Sequence, residues 1–469
     1  MATMLDFNAL KLSINKYAQE LGFIRVAYAS YSHLDTEINH YKEWIANSYN
    51  ADMMWMDKNY EKREDVNLIL EGAKSVIVLA HSYFTKQKHN SNENKISRYA
   101  WGDDYHDILL NKMNKLETFI KENYPDFKSK AYTDTGPILE KQWAVRSGLG
   151  WQGKNSLILN KDFGSYFFLG VIINNIPFEN DNTEIDRCGT CTKCIDACPT
   201  HAIIDNKIVD ANKCISFWTI EAKPYKDIPE AIQENLNGWA FGCDICQEVC
   251  PWNRHKPVIT SELNFFPRLQ ETNFDKEKLI NYTDEEFRLR FKNSPIKRTK
   301  LKGIKRNLKL LRYEMVGFGY DIHRLTLGRK LVLGGVNIDS ELGTIAHSDG
   351  DVLIHSLIDA LLGAAGLGDI GEHFPDTDEQ YNGIASTELL NKTLELLNSY
   401  KIINIDCMII LEKPKIKEYK PLIKKNLAKL LNINESRVNI KAGTNEKLDS
   451  LGNNEACAAY SVVSIENKI

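Results

Sequence analysis

No run of this sequence approaches the roughly 18 uninterrupted apolar residues of a membrane-spanning helix. The longest apolar segment, residues 163–178 (FGSYFFLGVIINNIPF), is interrupted by Gly164, Ser165, Gly170, Asn174 and Asn175. A signal peptide is missing as well. The opening MATMLDFNALKLSINKYAQELGF is an amphipathic helical pattern carrying Asp6, Lys11 and Glu20, with neither a basic n-region nor a cleavage site. These absences predict a cytoplasmic protein without membrane contact. There is no internal repeat and no low-complexity tract, and residues 88–95 (KHNSNENK) read as a loop. Excess positive charge is lacking too: the net charge is −4, so the chain as a whole has no nucleic-acid footprint. Residues 294–312 (SPIKRTKLKGIKRNLKLLR) are the exception, with eight Lys/Arg and no acid. Such a run can lie along phosphates or form a solvated basic linker helix.

Cysteine is scarce outside one segment. Of ten cysteines, eight lie between Cys188 and Cys250, and only Cys407 and Cys457 lie elsewhere. In a long cytoplasmic chain, such clustering favours metal ligation over disulfides. A length of 469 residues leaves room for about three domains. Up to about residue 177, helical patterns alternate with short apolar strands such as 23–27 and 75–80, an α+β or α/β pattern. A second series follows the basic run. Strands VGFGYDIH, KLVLGGVNI, NIDCMIIL, RVNIKA and AAYSVVSI are interspersed with helices DVLIHSLIDALLGAA, STELLNKTLELLN and KPLIKKNLAKLL, which makes a separate α+β domain. The expected divisions are 1–180, 181–260, 261–312 (a helical tail and basic linker) and 313–469.

Residues 188–199 read CGTCTKCIDACP, the C-x2-C-x2-C-x3-C-P spacing of bacterial ferredoxins; residues 243–251 read CDICQEVCP, and Cys214 stands between them. Three closely spaced thiolates cap three corners of a cubane, and the x3 step carries the fourth away to another cluster. The expected ligation is crossed. Cys188, Cys191, Cys194 and Cys250 hold one 4Fe–4S cluster, and Cys198, Cys214, Cys243 and Cys246 hold the other. Two zinc knuckles are the alternative for C-x2-C pairs.

Five further motifs accompany the cysteines: RYAWGDDYH at 98–106, TDTGP at 133–137, RSGLGWQGKNS at 146–156, FGSY at 163–166 and CISFWT at 214–219. Together they resemble epoxyqueuosine reductase over residues 1–310. The resemblance implies an α/β cobalamin-binding domain with a two-cluster ferredoxin-like insert, acting on a tRNA anticodon with an external electron donor. Reductive epoxide opening needs a positioned acid, and the resemblance makes Asp134 the proton donor. An acid at neutral pH needs a raised pKa, which Trp143 and Trp151 nearby could supply by desolvation. Lys154 and Asn155, and with less support Arg63, Arg98 and Tyr105, are candidates for holding cobalamin. Trp218, Trp239 and Trp252 suit stacking on an exposed base, or packing in a core.

In GFGYDIH at 317–323, Asp321 and His323 share one face of a strand, and His355 and Asp359 share one face of a following helix. One carboxylate and two imidazoles leave a zinc position open, the catalytic pattern. GDIG at 368–371, FPDTD at 374–378, KPK at 413–415 and TNEKL at 444–448 complete a resemblance to 2-C-methyl-D-erythritol 2,4-cyclodiphosphate synthase over 313–469. That family closes a cyclodiphosphate from a CDP-linked methylerythritol phosphate and expels CMP, as a homotrimer. By this resemblance, zinc or another divalent cation sits on Asp321, His323 and His355, and Glu446 holds magnesium or manganese. His347 and Asp359 are the implied catalytic residues. His347 and Ser348 at the helix start, Asp369, Gly371, Phe374, Asp376, Asp378, Lys415 and Thr444 are implied to meet substrate. One departure stands out: Asn453 and Ser450 occupy positions where the family carries an arginine and an aromatic residue. The competing reading is a ferredoxin-like electron carrier joined to an inactive trimerisation module.

Overall fold

The computed structural model describes residues 6–91, 93–254, 257–311, 314–375 and 377–467, and it divides into two compact units, Met1–Leu311 and Arg312–Ile469. In the first unit, strands β1 (Arg25–Ser30), β2 (Ser75–Ser82), β3 (Ser129–Tyr132) and β4 (Phe167–Asn174) form one sheet in the order β1-β2-β4-β3, antiparallel throughout. Side chains alternate along β2, so Ile77 and Leu79 enter one core while Val76, Val78 and Ala80 enter another. The first core is closed by Leu10 and Ile14 of helix α1 (Phe7–Glu20) and by Leu109, Met113 and Leu116 of α2 (Tyr105–Asn123). The second is closed by Trp143 and Ala144 of α3 (Glu140–Arg146). Burial on both faces explains why β2 reads as a continuous apolar run. The α/β expectation for residues 1–180 is corrected to α+β, because every neighbour in this four-stranded sheet runs antiparallel.

The basic run is not a solvated linker. Helix α4 (Lys300–Leu310) buries Leu301, Ile304, Asn307 and Leu308. The Asn307 carboxamide donates to the carbonyls of Thr219 (2.9 Å) and Ala240 (2.8 Å). The Arg306 guanidinium donates to the carbonyls of Lys223, Lys226 and Trp218. Lys297, Arg298, Lys300, Lys302 and Lys309 remain as an exposed basic edge, and Arg312 lies outside the described residues. Among the described residues, no helix is long and apolar enough to cross a membrane.

The second unit is a five-stranded sheet, β6-β5-β9-β7-β8, of β5 (Glu314–Leu327), β6 (Leu342–Thr344), β7 (Tyr400–Ile410), β8 (Val438–Gly443) and β9 (Ala456–Asn467). Only β7 and β8 run parallel. Helices α5 (Val352–Ala365), α6 (Ser386–Leu396) and α7 (Lys420–Leu430) bring Leu353, Leu357, Leu390 and Leu427 to one core. The glycines of GFG let α5 lie directly on β5. A Cβ at Gly317 would stand 1.9 Å from the Ala360 carbonyl oxygen, and one at Gly319 2.0 Å from that of Ser356. The segment 330–338, expected as one strand, is a hairpin of Leu331–Leu333 and Val336–Ile338. Gly334 and Gly335 both have positive φ, the requirement of a tight two-residue turn that matches strand twist. The Asp351 carboxylate binds both of these amides and also caps α5 through Leu353 and Ile354.

Candidate functional sites

Cys188, Cys191, Cys194 and Cys250 line one cavity of about 220 Å³, together with Lys154, Asn155, Arg187 and Trp252. Cys198, Cys214, Cys243 and Cys246 lie near one another: Cys246 feels the charges of Cys214, of Cys194 from the first set and of Cys198, and Cys243 those of Cys246 and Cys214. None of the eight is in a disulfide. Four thiolates on a single zinc would stand about 3.8 Å apart. Among the described residues, the groups of three or more possible ligands within 4.8 Å include none of these cysteines. That arrangement does not gather three thiols at the spacing of a single zinc. Burial pushes the Cys243 and Cys246 thiols well above their ordinary value, so they ionise only against the positive charge of a metal.

Asp134 follows β3 with a left-handed backbone (φ 57°). Gly136 makes the turn possible, since a Cβ there would lie 2.3 Å from the Tyr132 ring. Two residues at the start of α2 converge on the Asp134 carboxylate. Tyr105 donates its hydroxyl to Oδ2 at 2.7 Å, and His106 Nε2 stands 3.6 Å from the same atom. The other ring nitrogen of His106 lies 2.6 Å from Asp104, whose second oxygen pairs with Lys297 at 2.9 Å. The backbone N–H of Asp134 donates to Glu140 at 2.6 Å.

The expected raised pKa is not found. Desolvation acts to raise the Asp134 carboxyl, but it is outweighed. Hydrogen bonds from His106 and Tyr105, with the His106 charge, hold the carboxyl below the usual range. Trp143 and Trp151 are buried in other clusters and provide no pocket for Asp134. Desolvation acts to lower the His106 pKa, but the bonds and charges of Asp104 and Asp134 lift the imidazole to about 9. Burial, and then the charge of Asp134, push Glu140 up to about 8. Sequence reasoning missed His106 and Glu140, although YH at 105–106 lies inside a quoted motif.

The cobalamin candidates separate. Lys154 donates to the Gly189 carbonyl at 2.8 Å and Asn155 to that of Cys246 at 3.3 Å, so both belong to the cysteine region. Arg63 donates to the Lys58 carbonyl and lies over the Tyr41 ring. Tyr105 is committed to Asp134. Arg98 is wedged among the rings of Trp101, Phe84 and Tyr166, and its buried Nε has no acceptor among the described residues. Of the expected stacking residues, Trp218 and Trp239 are core, and Trp252 packs edge-on against Trp151.

In the second unit, Asp321 Oδ2 is 3.0 Å from both His323 Nε2 and His355 Nδ1, and the two nitrogens are 3.1 Å apart. Three ligands of a tetrahedral ion at 2.0–2.1 Å would lie about 3.3 Å apart, so the triad fits one ion. The far nitrogen of His355 meets Ser386 Oγ at 2.9 Å and Ser348 Oγ at 3.1 Å, and Ser386 donates to Asp349. This outer set was not expected. Asp359 accepts the Ile370 N–H on one carboxylate oxygen at 2.8 Å, a bond that orients the carboxylate and positions the 369–371 turn. His347 and Ser348 do not sit at the helix start, because Asp351 is the cap and both residues precede it in a loop. Asp369 caps the next short helix. Phe374 packs in the core against Tyr381, and Asp378 caps a turn. Gly371 and Lys415 are exposed. Thr444 donates to Glu446 at 2.7 Å, and Glu446 is not among the grouped ligands of the triad. Asp376 lies outside the described residues.

Three family models match the chain: "Epoxyqueuosine reductase QueG, DUF1730" at residues 63–135, "4Fe-4S double cluster binding domain" at 187–253 and "YgbB family" at 315–466. The epoxyqueuosine reductase of Synechocystis sp. is 42% identical over 60% of this chain and 97% of its own length. A crystal structure of epoxyqueuosine reductase with an epoxyqueuosine-modified tRNA-Tyr stem loop is 25% identical, covering 91% of this chain and 100% of that one, with a TM-score of 0.61. A 2C-methyl-D-erythritol-2,4-cyclodiphosphate synthase structure is 38% identical over 32% of this chain and 99% of its own, with a TM-score of 0.30. The cysteine region is therefore a 4Fe–4S double-cluster domain, and the chain is an enzyme of the epoxyqueuosine reductase family whose last third is a YgbB-family domain.

Proposed function

We propose that the first unit reduces epoxyqueuosine to queuosine in a tRNA anticodon, taking electrons from an external donor through its two clusters. The net change adds two electrons and two protons to the epoxide and releases water, leaving an alkene. The accessible Asp134 carboxylate, hydrogen-bonded by Tyr105 and faced by His106, is the observation that carries this reading. Asp134 delivers a proton to the epoxide oxygen. Because its own pKa is held low, His106, protonated up to about pH 9, replenishes it across the 3.6 Å gap. Asp104 and Lys297 hold His106 in place. Cobalamin, when bound, supplies a strongly reducing cobalt; the unpaired Arg98 Nε is the donor best suited to one of its amide or phosphate oxygens.

For the second unit, the reading is cyclisation of the CDP-linked methylerythritol phosphate with loss of CMP. Asp321, His323 and His355 hold zinc, which polarises the attacked phosphate, and Glu446 with Thr444 supports a second divalent ion. Positioning and charge neutralisation carry such a transfer. Val316, Phe318, Tyr320, Ile322, Tyr460 and Val462 form an exposed apolar sheet face, which suits a homotrimer.

The test is anaerobic reconstitution of the full chain with iron, sulfide and cobalamin. About eight irons per chain are expected, together with corrinoid absorbance, conversion of epoxyqueuosine tRNA and chelator-sensitive CMP release. Iron without epoxide reduction would reduce the first unit to an electron carrier. Zinc without CMP release would make the second a scaffold.

A further inference from the structure

Trp55 is the only exposed tryptophan among the described residues: five of the eight are buried, and Trp44 and Trp252 are half-buried. Its exposure of 47% does not come from a loose loop. Ser48, Ala51 and Asn59 hold left-handed turns around it. Tyr41 donates to the Met56 carbonyl at 2.7 Å, Asn212 to that of Ser48 at 2.8 Å, and Lys226 pairs with Asp52 at 2.7 Å. The Arg298 guanidinium lies 5.4 Å from the Trp55 ring centre. Arg298 is itself fixed by a two-pronged pair with Glu221, at 2.6 and 2.8 Å. The preceding residue, Lys297, ends the chain of contacts that runs through Asp104 and His106 to Asp134. A rigid indole backed by a guanidinium thus adjoins the network that ends on the proton-donating carboxylate, whose charge also reaches Arg298, with exposed Lys300 and Lys302 farther along the chain.

We propose that Trp55, backed by Arg298, is a stacking platform for an unpaired anticodon-loop base next to the modified nucleoside, with Lys300 and Lys302 taking the neighbouring phosphates. This rests on the tRNA reading above. An exposed aromatic face stacks on any base and is sequence-tolerant, and a guanidinium on the ring adds cation–π attraction. The benzimidazole of a corrinoid is also flat, but it does not call for a row of cations beyond the ring.

The probe is a labelled, unmodified anticodon stem-loop RNA, titrated by fluorescence anisotropy into the full, cluster- and cobalamin-loaded chain. Trp55→Ala should weaken binding about five- to a hundredfold, and Trp55→Phe should stay within about threefold of the parent. Bound RNA should quench tryptophan emission in the parent and not in Trp55→Phe. Lys300→Gln with Lys302→Gln should flatten the salt dependence by about two in log–log slope. Iron content per chain, equal in all variants, establishes that each has folded. Unchanged RNA affinity in Trp55→Ala, or lost cobalamin absorbance with RNA affinity intact, overturns the platform alone. A parent chain that binds no stem-loop overturns the tRNA reading and the platform with it.

Discussion

The cysteine region and the Asp321, His323 and His355 triad gather their side chains by opposite means. The cysteines stand on loops and four-residue helical turns such as Lys193–Asp196 and Ile245–Glu248. The triad stands on a long strand and a long helix pressed together at Gly317 and Gly319, with His355 further held by Ser386 and Ser348. Local spacing writes the first site into the sequence, and tertiary packing assembles the second. Loss of metal should therefore loosen the first region and leave the second folded.

The sharpest break of that contrast is Cys246→Ser. It removes one thiolate of the second group, so iron should fall from about eight to about four per chain, with epoxide reduction abolished and CMP release unaltered. Full iron content would mean that the two neighbourhoods are not separate clusters. Asp134→Asn tests the same independence from the catalytic side. Reduction should drop by about 10²–10⁴-fold while both clusters and the cyclase rate persist; undiminished turnover would remove Asp134 from the chemistry.

Ser386→Ala probes the packed site more gently. It deletes the contact that orients the outer nitrogen of His355, and zinc affinity measured by chelator competition should fall about 10–100-fold. Unchanged affinity would assign Ser386 to packing alone. The smallest effect is a pH slope. The folded pKa of His106, about 9, lies above its ordinary value of roughly 6.5. Its stabilising contribution is complete below about pH 6.5 and is lost as pH rises through 9. Glu140, raised to about 8, acts in the same direction at lower pH, so the interval above 8 isolates His106. Denaturant midpoints should decline there in the parent and stay flat in His106→Gln.

The same contrast decides what could be read in advance. Cysteine spacing pointed to a two-cluster domain without a structure, because eight thiols in two rhythms leave few other uses. Asp321, His323 and His355 were legible through strand and helix periodicity. The Asp134 environment was not. A carboxylate's pKa depends on which residues a turn brings near, and Tyr105 and His106 arrive from a helix start 29 and 28 positions earlier in the chain. The i+4 spacing of Asp359 from His355 shows a shared face but not the Ile370 amide that orients one of its oxygens. Lysines masked the amphipathic pattern of α4, and the paired glycines at 334–335 split an apparent strand.

The Asp351 carboxylate joins two pieces of chain that would otherwise move separately, the 334–335 turn and the first turn of α5. Its oxygens hold four amide protons, those of Gly334, Gly335, Leu353 and Ile354. None of them can meet solvent until the carboxylate lets go. In deuterium these four amides should exchange as one set at a common rate, slower than their places in a turn and at a helix end would suggest.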